Sequence, residues 1–403
     1  MEDVELLVVG CGPAGATAAR EAARCGLRTF VIDKDAVIGE KRVCAAGLRP
    51  GFCETFHLPR TIVHCDTPRL ALFDARGDEY AVRFGPGHTS TREELDGTMA
   101  ALAVQAGAQL QTRALFRDVH HDGEHRIVQY VDMASGEHHM VRARNVLLVQ
   151  GATARIDHLD QKSLTSFADP RWDAGLMTTL QHRVYLDRPA LPITYETLEL
   201  HFYPAADGRM IVAWMFPKRD HLAIGLGLLG KMPGSQLRDE LSAFVARTQR
   251  RLYSDATVIR VKEEGHILYG GWPRAQIHEN GLMVGGTAAG LVDATNGEGI
   301  YEAAMSGRIA AECVAIHRND PEQAARSYGA RVRERFYGKL QRRVQLMQFL
   351  EARPTRFSAL FEQFAGSSGF ATALHKERHD RSLADRALLI SHAVRFLLRA
   401  VAA

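Results

Sequence analysis

The chain has 403 residues, 46% of them hydrophobic and 24% charged, with a formal net charge of +3. That length accommodates two domains or one elaborate one, and so mild a charge, without an arginine-rich arm or finger spacing, argues against a nucleic-acid partner. Six cysteines, at 11, 25, 44, 53, 65 and 313, form no CxxC pair, so neither a zinc site nor a disulfide framework is indicated.

The N-terminus enters a strand directly behind acidic residues and does not read as a signal peptide. No apolar run approaches the roughly 18 residues a spanning helix needs. A cytoplasmic protein is expected, with any membrane contact peripheral. "VELLVVGCGPAGATAAREAARCGLRTFVIDKD" then predicts strand, tight turn, helix and strand. Gly10, Gly12 and Gly15 fit GxGxxG, with Pro13 and Ala14 opening the helix. Gly10 permits the turn, Gly12 lets backbone meet a pyrophosphate, and Gly15 allows close packing of helix on strand. Asp33, followed by Lys34, ends the second strand where a ribose hydroxyl pair would be met.

"PRLALFDARGDEYAVRF" alternates apolar and polar residues across a turn and predicts a hairpin. A second hairpin is expected around Asp122-Gly123, and it accounts for the histidines of "HHDGEH" as exposed turn residues; His138 and His139 follow another turn, and no metal is expected. "ETLELHFYPAADGRMIVAWMFP" predicts a third hairpin and "LAIGLGLL" a further strand. Trp214, Phe216 and Val212 share one strand face, suited either to core packing or to the wall of a pocket.

A second glycine-rich loop, "VGGTAAGLVDATNGEGIYEAAMSGRIAAE", feeds a helix at Gly297, Gly299 and Ile300. Two such loops far apart are what an FAD site requires, since a helix N-terminus at the pyrimidine edge of the flavin stabilises the charge that reduction places there. Beyond residue 320 the chain reads as helical and basic. Leu383, Ala387, Ile390, Val394, Leu397 and Val401 form one stripe of the last helix and His392, Arg395 and Arg399 another, a pattern that suits an anionic membrane surface or docking on the protein's own body.

These residues together resemble the geranylgeranyl reductase family of flavoproteins, within the larger group that includes the aromatic hydroxylases. "GEGIYEAAMSGRIAAE" matches that family's second flavin loop, and Trp214, Phe216 and Pro217 its WxFP segment. "KRVCAAGLRP" aligns Cys44 with the family's cysteine, and Arg92 stands where an arginine before a helix contacts the flavin nucleotide. The resemblance runs from residue 1 to about 316; beyond it the chain more loosely resembles the chlorophyll and bacteriochlorophyll branch. Five positions depart from the pattern: Thr287 after Gly286 replaces an aspartate, Val212 a tyrosine, Ala45 and Ala46 two glycines, and Gln150 precedes Gly151 where related hydroxylases carry Asp-Gly.

The resemblance implies a Rossmann-like FAD-binding domain (1–60, 90–165 and 276–320), an antiparallel-sheet substrate domain (61–89 and 166–275) and a helical C-terminal region (321–403). It implies an FAD-dependent reductase delivering hydride from flavin N5 to isolated C=C bonds of a geranylgeranyl or polyprenyl chain, with NADPH or ferredoxin as electron donor and an isoprenoid-bearing molecule or lipid as partner. FAD would be held by Gly10, Gly12, Pro13, Ala14, Gly15, Asp33, Lys34, Arg92, Gly286, Thr287, Gly297, Gly299 and Ile300, with Cys44 and Ala45 beside the ring. Trp214, Phe216 and Pro217 would line the substrate path. Cys44 is the candidate proton donor, or a small filler beside the ring. Two other readings stay open: a flavin monooxygenase on an apolar substrate, and a non-catalytic homologue that binds an isoprenoid or a partner.

Overall fold

The computed structural model describes residues 2–40, 44–153, 167–375 and 381–402. In chain order the N-terminal part runs β1 (Glu2–Val9), α1 (Pro13–Arg24), β2 (Thr29–Ile32), β3 (Gly47–Leu48), α2 (Phe52–Thr55), β4 (Cys65–Phe73), β5 (Glu79–Thr89), α3 (Arg92–Gln105), β6 (Gln109–Gln111), β7 (Ala114–Asp122), β8 (His125–Asp132) and β9 (His138–Leu148). The middle comprises β10 (Leu176–Leu186), α4 (Pro192–Tyr195), β11 (Thr197–Pro204), β12 (Met210–Pro217), β13 (Leu222–Leu229), α5 (Gly234–Leu252) and β14 (Val258–Tyr269). The remainder is β15 (His278–Glu279), β16 (Leu282–Val284), α6 (Ile300–Ile316), α7 (Pro321–Val332), α8 (Gly338–Glu351), α9 (Thr355–Ala365), α10 (Ser368–His375) and α11 (Leu383–Ala402).

Two sheets organise these elements. In the first, β16, β9, β1, β2 and β6 run parallel in that order, and β7 and β8 form an antiparallel extension of β9. The strands are apolar on both faces, as a parallel sheet covered by helices requires: Leu6, Leu7 and Val8 are wholly buried. This is a Rossmann-like arrangement, in which a ligand is expected beyond the carboxyl ends of the central strands.

The second sheet has the order β14-β10-β13-β12-β11-β4-β5-β3 and is antiparallel except between β11 and β4. Its two faces follow from alternation. On β12, Ile211, Ala213 and Met215 belong to one apolar cluster with α5, through Leu237, Leu241 and Phe244. Met210 belongs to another on the opposite face, with Met347, Phe357, Phe361 and Phe396 of the C-terminal helices, and Val212, Trp214 and Phe216 pack against that cluster. The expected hairpins at β4–β5, β7–β8 and β11–β12 all form.

The C-terminal helices clasp the second sheet, but α11 does not bury the stripe that its sequence pattern offered for docking on the body. His392 faces inward, its Nδ1 2.7 Å from Gln363 Oε1 and its ring stacked on Phe370, and Phe396 is buried beside it. Leu383, Ile390 and Val394 are instead 83%, 66% and 51% exposed. The buried histidine thus leaves the basic stripe to which the sequence pattern assigned it, while Arg395 stays exposed. Leu397, Arg399 and Val401 have side chains outside the described set, as do residues 41–43 of the "KRVCAAGLRP" segment and the expected domain boundary at 165.

Candidate active site

The first glycine turn follows β1. Gly10 has φ 104°, and a Cβ there would stand 2.7 Å from the Val149 carbonyl oxygen; one on Gly15 would stand 1.8 Å from the Gly10 carbonyl oxygen. Both glycines are demanded by the protein's own backbone. Gly12 is not, because a Cβ there meets nothing nearer than Arg92 Nη2 at 3.7 Å. Gly12 is also the N-cap of α1 and no side chain caps it, so the first-turn N–H groups stay available to an anion. Asp33 is buried and locks this turn, accepting from the Cys11 N–H at 2.6 Å and the Asp35 N–H at 2.9 Å.

The second loop converges on the same place. Gly286 and Gly297 have φ of 55° and 72°, and Gly299 is the N-cap of α6, again without a side-chain cap. Ser306 accepts from the Gly286 N–H at 3.0 Å, and the buried guanidinium of Arg274 donates to the Ala288 carbonyl at 2.8 Å. α6 lies directly on α1 because both meet through small residues. A Cβ on Gly307 would come within 2.0 Å of the Ala14 carbonyl oxygen. Two uncapped helix N-termini therefore open onto one cavity of about 290 Å³.

Gly12, Pro13 and Ala14 line this cavity from α1, and Gly286, Thr287, Gly297, Gly299 and Ile300 from the second loop and α6. Cys44, Ala45 and Arg92 line it between them, and Trp214 and Phe216 from β12. Gly10, Gly15, Asp33, Lys34 and Pro217 do not line it: the first three shape the turn, Lys34 pairs with Asp35 at 3.3 Å, and the Pro217 carbonyl accepts from Thr89 Oγ1 at 2.7 Å. The aromatic wall is fitted by glycines. A Cβ at Gly225 would stand 2.4 Å from the Trp214 ring and one at Gly47 2.6 Å from the Phe216 ring. The Trp214 indole N–H donates to Gln181 Oε1 at 3.0 Å. Arg92 is half-buried, and Asp96, at 2.6 and 2.9 Å, outweighs the effect of desolvation and holds its pKa above the ordinary range.

Several residues that sequence reasoning did not single out complete the site. Arg49 donates to Glu298 and to Glu302, each at 2.6 Å, and its guanidinium lies 3.9 Å from the Tyr301 ring centroid. Glu302 is wholly buried and also meets Lys339 of α8 at 3.2 Å, while Arg343 of α8 meets the buried Asp293 at 3.2 Å. The opposite wall comes from Met177 and Thr179 of β10 and His266–Tyr269 of β14. Arg49 has one faint signal in the sequence, its place five residues after Cys44. The rest have none, since their pairings join distant segments. Among the described residues no group of three His, Cys, Asp or Glu is disposed to hold a metal ion, and His120, His121 and His125 lie at the β7–β8 hairpin.

A flavin dinucleotide requires two anion-facing backbone segments and a flat apolar slot, and the residues present fit it. Two helix ends lack side-chain caps, Gly12 is left open by its neighbours, and an aromatic wall stands across the gap. Fold and site define an FAD-dependent oxidoreductase, and residues 5–147 match the family model described as FAD dependent oxidoreductase. The resemblance to the geranylgeranyl reductases also holds across most of the chain. Digeranylgeranylglycerophospholipid reductase 2 of Methanopyrus kandleri is 27% identical over 343 residues, 83% of this chain and 82% of that one. Geranylgeranyl diphosphate reductase of Synechocystis sp. is 24% identical over 335 residues, 79% and 77% of the two chains. The crystal structure of a geranylgeranyl bacteriochlorophyll reductase-like protein from Thermoplasma acidophilum shares the fold, with a TM-score of 0.77 at 23% identity over 98% of this chain and 96% of that one.

Proposed function

We propose that the protein reduces isolated C=C bonds of a geranylgeranyl or other polyprenyl chain, with NADPH or a ferredoxin supplying electrons. The observation that carries this reading is the meeting, in one cavity, of two uncapped helix ends with the apolar wall of Val212, Trp214 and Phe216. Bound FAD supplies the hydride. Gly12–Ala14 and Arg92 hold its phosphates, and Gly286, Thr287 and Gly297–Ile300 its ribityl and pyrimidine end. Thr287 offers a hydroxyl where the resembled family pattern has an aspartate, a difference on the order of 1–2 kcal/mol. Leu70, Leu198, Leu200, Val212, Trp214 and Phe216 keep water from the alkene and orient it. Cys44 lines the cavity and accepts from the Ala46 N–H at 3.3 Å, and that place at the wall supports it as the proton relay of this reading.

A long polyprenyl chain partitions into lipid, and on our reading the exposed Leu383, Ile390 and Val394 of α11, flanked by exposed Arg386 and Arg395, form the contact with an anionic bilayer. No described helix is long and apolar enough to cross a membrane. The test of the activity is direct. The purified protein is yellow, bleaches anaerobically under dithionite, and raises the mass of a geranylgeranyl compound in steps of two hydrogens. Oxygen in the product would select a monooxygenase, and a colourless protein that cannot be reconstituted with FAD would select a binding module.

A further inference from the structure

Lys218 follows β12 directly, in the turn to β13, where its N–H donates to the His221 carbonyl at 2.8 Å. Its side chain runs into the interior: the residue is 1% exposed, and its ammonium donates to the Ala45 carbonyl. At the other end of the same peptide group the Ala46 N–H donates to Cys44 Sγ at 3.3 Å. Ammonium, peptide and sulfur thus form one line of hydrogen bonds, each polarising the next. The peptide is held in an unusual conformation, because Ala46 is wholly buried with φ 45°, and its carbonyl accepts from the Ser90 N–H at 3.0 Å.

We infer that Lys218 is a positioning residue for Cys44: through the Ala45–Ala46 peptide it fixes the sulfur at the cavity wall and couples its own charge to the reactivity of that sulfur. Burial lowers the Lys218 pKa to about 7, with Arg183 of β10 acting in the same sense and Cys44, Cys65 of β4 and Glu93 of α3 acting against it. His64 and His221 also face it, and burial lowers the pKa of both; Arg92 of α3 faces the Cys44 sulfur directly, but its guanidinium keeps its charge across the range and adds no inflection. The ammonium therefore changes charge near neutral pH, and the polarisation of the peptide changes with it.

The inference concerns the site proposed above to hold flavin, but its test needs neither turnover nor prenyl substrate, so either can fail alone. The purified protein is treated with iodoacetamide between about pH 6 and about pH 9, and Cys44 labelling is followed by peptide mass spectrometry against the exposed Cys25. Wild-type Cys44 labels with an inflection near pH 7 that Cys25 lacks. Lys218→Met loses the inflection and labels Cys44 roughly fivefold more slowly at pH 7. Lys218→Gln keeps a donor without the charge, and it also loses the inflection. A wild-type profile without the inflection, or either variant with a wild-type profile, would overturn the inference. Melting curves separate it from a packing role: Lys218→Gln melts within a few degrees of wild type, and were Lys218→Met to unfold, the wild-type profile and the Gln variant decide alone.

Discussion

The carboxylate of Asp33 holds the protein's own backbone. Its position at the end of the second strand led to an expected ribose contact, and in the structure each of its two oxygens accepts from a backbone N–H, those of Cys11 and Asp35. Asp33→Asn is expected to lower the unfolding free energy by about 1–3 kcal/mol, measured by urea titration, and to loosen FAD by deforming the turn it anchors. The three glycines of that turn were legible because they recur at a short fixed spacing, although the carbonyl that crowds Gly10 belongs to the distant Val149. The partners of Arg49 were not, since Glu302 lies 253 residues further on. Arg49→Met leaves Glu302 with Lys339 as its remaining partner, and a loss of about 3 kcal/mol is expected in the same assay. His221 gives a pH dependence. Burial lowers its pKa to about 4, against the opposing effect of Asp220. The unfolded chain then takes up a proton below about pH 6.5 that the native state refuses until about pH 4, so stability falls through that window by about 2 kcal/mol at pH 5. His221→Gln removes that share of the fall in a urea series at pH 7 and pH 5.

Among the elements, α1 and α6 show why small residues matter more than their apolarity. The alanines at helical spacing in α6 were readable as a packing face, but nothing in the spacing says that α1 is the partner. Gly307→Ala must displace the Ala14 carbonyl, which stands 2.0 Å from the new methyl group. It is expected to separate the two helix ends, costing about 1–3 kcal/mol and releasing flavin on gel filtration, read as the ratio of visible to ultraviolet absorbance. β12 was more transparent, because alternation alone separates Val212, Trp214 and Phe216 from Ile211, Ala213 and Met215, and the structure puts these sets on opposite sides of the sheet. On α11 the same kind of reading could not orient the helix, since a stripe of leucine, isoleucine and valine is equally consistent with burial and with a bilayer. The variant Leu383→Glu, Ile390→Glu, Val394→Glu is expected to lose flotation with anionic phospholipid vesicles while its flavin spectrum stays unchanged; retention on the vesicles would remove α11 as the contact.

At the scale of the molecule, the C-terminal helices are tied to the cofactor loop. Lys339 reaches Glu302 and Arg343 reaches Asp293, so α8 braces the segment that opens α6. A purely sequence-based division sets these helices apart as a third region, because long-range charge pairs leave no period in the chain. Removing flavin is expected to lower the melting temperature, since a ligand bound only by the native state adds about 2.7 kcal/mol at a hundredfold excess over its Kd. The fall should be largest in local hydrogen-exchange protection at the α6 start and in α8.

The wide separation of Arg49 from Glu302 also sets a schedule for synthesis. At about 5–20 residues per second, a ribosome takes on the order of ten to fifty seconds to travel from one to the other. During that interval the nascent chain carries the alanine-rich flank of α1 with no α6 to cover it, while Arg49 stays hydrated until its carboxylates emerge. The cofactor cleft therefore closes only after the last third of the chain has begun to emerge, so flavin can be gripped from both sides no earlier than that.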